Sequence, residues 1–495
     1  MNCTNNATVT QPYNVVNVNL DGCLVIPSNL EGFRQDITKD AVVIPKVVDN
    51  TIVSSVTRVY GDIIDTDTDV CPHCGAKLYS NGSYDTVLKH LPLGQTSLSV
   101  VVTRKRKRCT CCGKSFVKEI PFKAEKHNIT ETLKKYIEKL LTMAMTLNAI
   151  SDITGVDEHI IKAIDNNRLE DEQTEIDENG NRRLKKPTEY AKYIAVDEFK
   201  LNNEYRYATV IIDLETGYIL YFGRSKKKVV IEEFMKLVGD DWMNHVEALA
   251  CDMNADFSEA FQAKYPHIDV VYDRFHIRKN FNDMVIGPVR KDVQRQLIRE
   301  KKYEEAASLK RCNHILCSSK ATRMAIEAEA KERKENGNQP KSMSLFCAPP
   351  IEVKGGIEQR YQDIIESNKL FFVMDIIKDQ LDVAYRSETV EEMSKHIGQI
   401  IALCHGTNND HFKRFAKLLG NHYEGVINFG KHHITSGKIK GTNNLIKNIR
   451  RMGYGYPDEE YFFLKAKDLS RQNKLRSHKK LHWTIFYQQK GIKGF

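Results

Sequence analysis

Apolar and polar positions along this chain repeat with two different periods, and the places where the period changes divide it into regions. Within 86–93 and 97–104 apolar and polar side chains alternate about Gly94, the period of two expected of a β-hairpin. From 129 to 167 the period lengthens. Leu133, Tyr136, Ile137, Leu140 and Leu141 recur at helical spacing, and 149–156 and 160–164 predict two more helices joined by a turn at Gly155. The stretch 170–186 is polar and aperiodic, which predicts a linker. From Ala191 short apolar runs take over, predicting strands at 193–197, 205–213, 217–222, 246–252 and 268–273, with helices at 229–242 and 257–265. The long segment 290–423 is charged and helically periodic, the pattern of an inserted helical bundle.

With 495 residues the chain is too long for one ordinary core. The periods imply a multidomain α+β protein. The regions are a polar, irregular segment over 1–64, a cysteine-bearing hairpin over 65–122, a helix-turn-helix over 123–170, a linker over 171–190, the first part of an α/β core over 191–285, a helical insertion over 286–430, a final core helix over 431–475 and a basic tail over 476–495. Hydrophobic residues at 41% and charged residues at 28% are those of a globular protein rather than a disordered chain. No apolar run reaches the length of a membrane span, and the first residues, MNCTNNATVTQP, lack the pattern of a signal peptide; the expectation is a cytoplasmic protein with no membrane partner. A net charge of +9 is modest, but its distribution is not even. Arg104, Lys105, Arg106, Lys107 and Arg108 form an unbroken basic run, and the stretch from Lys431 to Lys493 is rich in Lys and Arg, which points to nucleic-acid phosphates.

Of the twelve cysteines, five crowd into about forty residues. Cys71 and Cys74, then Cys109 and Cys112, make two CxxCG knuckles. Each sets two thiolates on a tight turn, and two knuckles complete a tetrahedral zinc shell. Cys111 and His73 are alternative ligands within the knuckles. A site closed by four protein ligands holds structural zinc, which folds its module rather than catalysing. The turn between the helices at 149–164 makes a helix-turn-helix, whose second helix can enter a DNA major groove.

Three of the strand runs finish at an aspartate: Asp197, Asp252 and Asp273. A strand delivers its last side chain to the rim of a sheet, where a carboxylate can meet a metal ion. Three strands in sequence, then alternating helix and strand, is the order of a ribonuclease-H-like α/β core, in which strands one and four lie side by side. Asp197 and Asp252 then form a divalent-metal pair suited to phosphoryl transfer. Asp213, at the hairpin turn, reads as structural.

Together, the ribbon cysteines, the helix-turn-helix, VDEF at 196–199, YATVIIDLETG at 207–217, Asp252-Met253, YDRFHIRKN at 272–280 and GTNNLIKNIRRMGYG at 441–455 resemble the DDE transposases of bacterial insertion sequences, the ISL-three family in particular. The resemblance implies zinc in the ribbon, magnesium or manganese at Asp197 and Asp252, and an accessory role for Asp273 and His276. It further implies duplex DNA at the element's terminal inverted repeats as partner, self-association on that DNA and a nucleoid location. Asn443, Asn444, Lys447, Arg450 and Arg451 would contact phosphates. The family's third acid is a Glu before Gly-x-Asn-Asn, and here Lys440 stands in that place. A lysine brings a cation to a metal site and is expected to pair with Asp197 or Asp252. Either this chain is inactive or another acid, such as Glu424, serves. Two functions follow: a metal-dependent transposase, or a non-catalytic transposase-derived DNA-binding protein.

Overall fold

A computed structural model describes residues 30–470, apart from 37, 40, 49–50, 65–68, 95, 202–206, 226–227, 254, 311, 336–355 and 454–455. The expected basic tail lies outside the described residues. The chain divides into two units: residues 1–185 with 448–472, and residues 186–447 with 473–495.

The first unit is built on a six-stranded sheet. Strands β1 (Phe33–Gln35), β2 (Val42–Val48) and β3 (Thr51–Ile63) precede the long hairpin β4 (Leu78–Leu93) and β5 (Thr96–Cys109), with β6 (Ser115–Val117) after it. The order is β1-β3-β5-β4, β2 pairing with β3 and β6 with β5. The segment expected to be irregular therefore supplies strands to the ribbon's own sheet. Its alternation is masked by Ser and Thr, yet Val59 is buried with Leu88, Leu98, Val100, Val102, Ile120 and Phe122 in one core. Gly94, at φ +60°, turns the hairpin.

Three helices follow: α1 (Glu131–Thr142), α2 (Leu147–Thr154) and α3 (Glu158–Gln173). Each starts at a side-chain cap, with Thr130, Thr146 and Asp157 accepting from amides inside the first turn. Gly155 ends α2 in the left-handed conformation at φ +67°, where any Cβ would also lie 2.7 Å from Ser97 Oγ. Leu133, Ile137, Leu141, Ile150, Ile161 and Ile164 close the helix-turn-helix core. The region expected as linker instead carries a small antiparallel pair, β7 (Thr174–Ile176) and β8 (Arg182–Leu184), because α3 runs on to Gln173.

The same unit includes a helical run over 459–470, which is docked on α3 by buried charge. Asp165, fully buried, accepts from Lys465 at 2.6 Å, Tyr461 Oη at 2.7 Å and Arg168 at 2.8 Å, and Arg168 also reaches Asp468 at 2.8 Å. Every charge in this group has an opposite partner, which is the condition for burying it.

The second unit holds a five-stranded sheet of β9 (Tyr193–Lys200), β10 (Tyr207–Asp213), β11 (Ile219–Gly223), β12 (Ala248–Cys251) and β13 (Asp269–Tyr272) in the order β11-β10-β9-β12-β13. The first three strands are antiparallel neighbours, while β12 runs parallel to both β9 and β13. This is the ribonuclease-H-like order. The residues of β12 are all buried, as a parallel strand covered on both faces requires. Helices α4 (Lys228–Met243) and α5 (Ala255–Lys264) make the crossovers, and α6 (Arg274–Phe281) leaves β13. Asp213 closes the β10–β11 turn, accepting from Glu215 N at 2.8 Å and from the Thr216 hydroxyl at 2.5 Å. Helices between 287 and 432 form the insertion. Its interior is fixed by Lys378, which donates to Leu316 O at 2.8 Å and Tyr361 Oη at 2.9 Å, and by Arg323 stacked on the Tyr361 ring at 3.4 Å.

Candidate functional site

Parallel pairing between β9 and β12 stops at Ala195 and Ala250, although β9 itself runs on to Lys200 against β10. Asp197 and Asp252 both lie just past that last pair, so the sheet opens between two carboxylates. Asp197 accepts from Glu198 N at 2.8 Å and from Asn443 Nδ2 at 2.7 Å. Asp252 accepts from Met253 N at 2.7 Å and meets His276 Nδ1 at 3.0 Å. Burial pushes the Asp197 carboxyl above the ordinary carboxylate range, against the pull of the Glu198 amide and Asn443, and the Asp252 charge raises it further. Asp252 is held below that range, first by the hydrogen bond from His276. His276 acts electrostatically on both carboxylates, so α6 aims an imidazole at the pair.

The third contributor is the Gly437–Met452 helix. Ser436, Lys440 and Asn443 follow one another at spacings of four and three, which puts them on one face. Ser436 Oγ donates to Asp273 Oδ2, and Lys440 Nζ reaches the same oxygen at 3.3 Å while lying 3.7 Å from the centre of the Phe275 ring. On the flank, Lys438 Nζ donates to Glu215 O and Thr442 Oγ1 to Gly217 O at 3.3 Å, seating the helix on the β10–β11 turn. Asp273 precedes α6 yet makes no side-chain cap to it, because its carboxylate is taken by Ser436 and Lys440.

Lys440 therefore pairs with Asp273, not with Asp197 or Asp252 as expected. The reason is the register: β13 lies next to β12 at the sheet edge, and Lys440 is one helical turn nearer to it than Asn443. Asn443 turns its amide to Asp197. Glu424 is exposed on the short helix Tyr423–Ile427. Ser436 carries no motif of its own; only its helical spacing from Lys440 and Asn443 was legible.

In the first unit the four expected cysteines converge. Their sulfurs lie within 4.8 Å of one another, with Cys71–Cys112 at 3.7 Å and Cys74–Cys109 at 3.4 Å. Tetrahedral Zn–S bonds of about 2.3 Å set the sulfurs about 3.8 Å apart, so the donor set fits zinc. The amides of Cys111 and Cys112 point at Cys109 Sγ from 3.3 and 3.4 Å, and the Cys112 amide leads in bringing that thiol down to about 6. Gly75 and Gly113, at φ +72° and +70°, turn the knuckles. Cys111 and His73 are exposed and outside the group, which among the described residues is the one set of three or more such ligands.

Above the knuckles the basic run splits by strand alternation. Arg104, Arg106 and Arg108 share the face that deeper in the sheet carries Leu98, Val100 and Val102. Tyr79 opposes Arg108 and Tyr84 opposes Arg104, and the Tyr84 ring lies 5.7 and 5.8 Å from the Arg104 and Arg106 guanidinium carbons. Main-chain oxygens brace two of the arginines: Arg104 Nη2 donates to Lys118 O at 2.6 Å and Arg108 Nε to Gly113 O at 3.1 Å. Lys105 and Lys107 take the other face, Lys107 paired with Asp69 at 2.7 Å.

A family model described as a transposase, of the ISL3 DDE group, matches residues 194–466, and a second, described as the zinc finger of transposases IS204, IS1001, IS1096 and IS1165, matches 67–112. The first spans more than half of the chain, and the chain belongs to the ISL3 transposase family. It is 22% identical over 401 residues to the transposase for insertion sequence element IS1001 of Bordetella parapertussis, covering 80% of this chain and 88% of that one. No described helix is long and apolar enough to cross a membrane.

Proposed function

We propose that this transposase binds the terminal inverted repeats of its element as duplex DNA, through the arginine face of the ribbon and the helix-turn-helix, and that its strand-cleavage site is disabled at Lys440. The observation that carries this reading is the pairing of Lys440 with Asp273 beside the two carboxylates, where the family places an acid. Asp197 and Asp252 would hold magnesium or manganese, which supplies Lewis-acid activation of the attacking and leaving oxygens of a phosphodiester. His276 meets Asp252, and the Asn443 amide lies against Asp197. Asp273 and Ser436 hold Lys440, which brings no carboxylate for a second cation. Asn444, Lys447, Arg450 and Arg451 remain candidates for phosphate contact. Self-association on DNA and a nucleoid location in the cytoplasm belong to the same reading, as does structural zinc in the ribbon.

A non-catalytic DNA-binding role is favoured by the same lysine. The test is a nicking assay on DNA carrying the element's ends, comparing the unmodified chain with Lys440→Glu in magnesium and in manganese. DNA binding without nicking by the first and nicking by the second is expected. Nicking by the unmodified chain would overturn the account of Lys440, and its loss in Glu424→Ala would assign the third acid to Glu424.

A further inference from the structure

One turn beyond Lys440, Asn443 has only half its hydrogen bonding complete. Its Nδ2 donates to Asp197 Oδ2 at 2.7 Å, while its carbonyl Oδ1 is buried and has no hydrogen-bond partner. A polar atom shut away from water without a donor is uncommon in folded proteins and calls for an explanation. With Oδ1 unpartnered, the orientation of the amide is set by its one hydrogen bond, to Asp197. The two ends of a carboxamide have nearly the same shape, so a half-turn about χ2 exchanges them. After that turn Oδ1 replaces Nδ2 beside Asp197 Oδ2, and two hard oxygens face the same point. Oxygen donors of this kind, carboxylate with amide carbonyl, suit divalent cations such as magnesium and manganese. Without an ion the opposite rotamer is favoured, because Asp197 Oδ2 accepts a hydrogen bond and, of the two amide ends, only Nδ2 can donate one.

Lys440 does not compete for this position, being held by Asp273 and packed over Phe275. Asp252 lies near enough for its charge to act on Asp197, and its second contact, His276, leaves a carboxylate oxygen that no part of Asn443 occupies. We infer that Asn443 is the third metal ligand of the carboxylate site, joining Asp197 and Asp252 where Lys440 contributes none. This rests on reading Asp197 and Asp252 as a divalent-cation site. A neutral amide replaces a carboxylate in such a set, so binding is retained but weakened.

The experiment is titration of the zinc-loaded full chain with Mn2+ alone, following free Mn2+ by electron paramagnetic resonance, with zinc content and thermal melting reported for every variant. The unmodified chain should bind Mn2+ at a site that Asp197→Asn abolishes. Asn443→Ala should weaken that site about tenfold, within the range typical for groups that tune a metal site. Asn443→Asp should tighten it by a similar factor, because a charged oxygen replaces a neutral one. If Asn443 only steadies Asp197 through its N–H, then Asn443→Asp, which cannot donate, would weaken binding as Ala does, and the inference is overturned. Mn2+ binding that depends on Asp197 but is indifferent to both Asn443 variants overturns the ligand assignment and leaves the carboxylate site standing. No binding, or binding that survives Asp197→Asn, overturns the site itself and the inference with it.

Discussion

Lys440 and Asp273 form an ion pair of 3.3 Å, and the Asp273 end of it is almost fully buried, with 8% of its side chain exposed against 43% for Lys440. The pair joins the end of the last strand to the final core helix. A buried carboxylate that loses its cation keeps the desolvation cost, offset here only by the Ser436 hydroxyl. Lys440→Met should therefore destabilise the second unit by about 1–3 kcal/mol, judged by the cost of an unpaired buried polar group. Lys440→Met with Asp273→Asn together should recover part of that loss. Equal stability of all three proteins in urea denaturation would show that the pair contributes nothing.

The zinc ribbon should carry one zinc ion through Cys71, Cys74, Cys109 and Cys112. Because a closed structural site contributes its binding energy to folding, Cys74→Ser or prolonged chelation should unfold the knuckles and expose Phe116, which packs against the cysteine cluster. Cys111→Ser should leave both zinc content and stability unchanged. Zinc analysis across the three proteins checks it; loss of the metal in Cys111→Ser would reassign the ligands.

The two faces of the basic run should behave differently in DNA binding. Each arginine that neutralises a phosphate should shallow the log–log salt dependence of duplex affinity by about 0.9 on replacement by alanine. Arg106→Ala is the informative variant, since Arg104 and Arg108 are also braced on main-chain oxygens. Lys107→Ala should change the slope little, because Lys107 already pairs with Asp69. Salt-dependent anisotropy on a labelled duplex measures both, and equal slopes for Arg106→Ala and Lys107→Ala would remove the distinction.

The charge group on α3 should give the first unit an acid-sensitive stability. Burial alone would raise Asp165, but the Lys465 ammonium and the Arg168 guanidinium outweigh it and hold the carboxyl below the ordinary range. A carboxyl depressed in the folded state stabilises the fold above its unfolded pKa, and the contribution is lost as pH falls through the folded value. Urea stability should therefore drop as the solution is acidified below about pH 4, the unfolded carboxylate value. Asp165→Asn should cost about 3–5 kcal/mol at pH 7, as breaking a buried pair does, and should flatten that acid limb. An unaltered limb would place the acid sensitivity elsewhere.

Much of this was legible in the sequence for identifiable physical reasons. The short apolar runs at 193–197 and 246–252 encode buried strands, so the strand order could be read; Asp252 follows the end of its strand, whereas β9 runs three residues past Asp197. The knuckle spacing fixed the four cysteines in the same way. What could not be read depended on tertiary register. Whether Lys440 meets Asp197, Asp252 or Asp273 is decided by where one helix seats on the sheet, through Lys438 and Thr442 on the β10–β11 turn. The strands of residues 33–63 were hidden because Ser and Thr blur the alternation and their partner, β5, lies more than thirty residues on. The docking of the 459–470 run on α3 joins positions about 300 apart, beyond any local pattern.

On the proposed reading this transposase retains DNA binding while Lys440 withholds the carboxylate that cleavage needs. The most direct measurement is manganese-dependent nicking of DNA bearing the element's ends by the unmodified chain and by Lys440→Glu, at concentrations where both are shown to bind. A glutamate at 440 loses the ion pair with Asp273, and a divalent cation held by Asp197 and Asp252 would attract it. A bound but uncut substrate is expected with the unmodified chain, and nicked product with Lys440→Glu, abolished again by Asp197→Asn. Equal nicking by both proteins, or none by Lys440→Glu while it binds DNA and retains its fold, would contradict it.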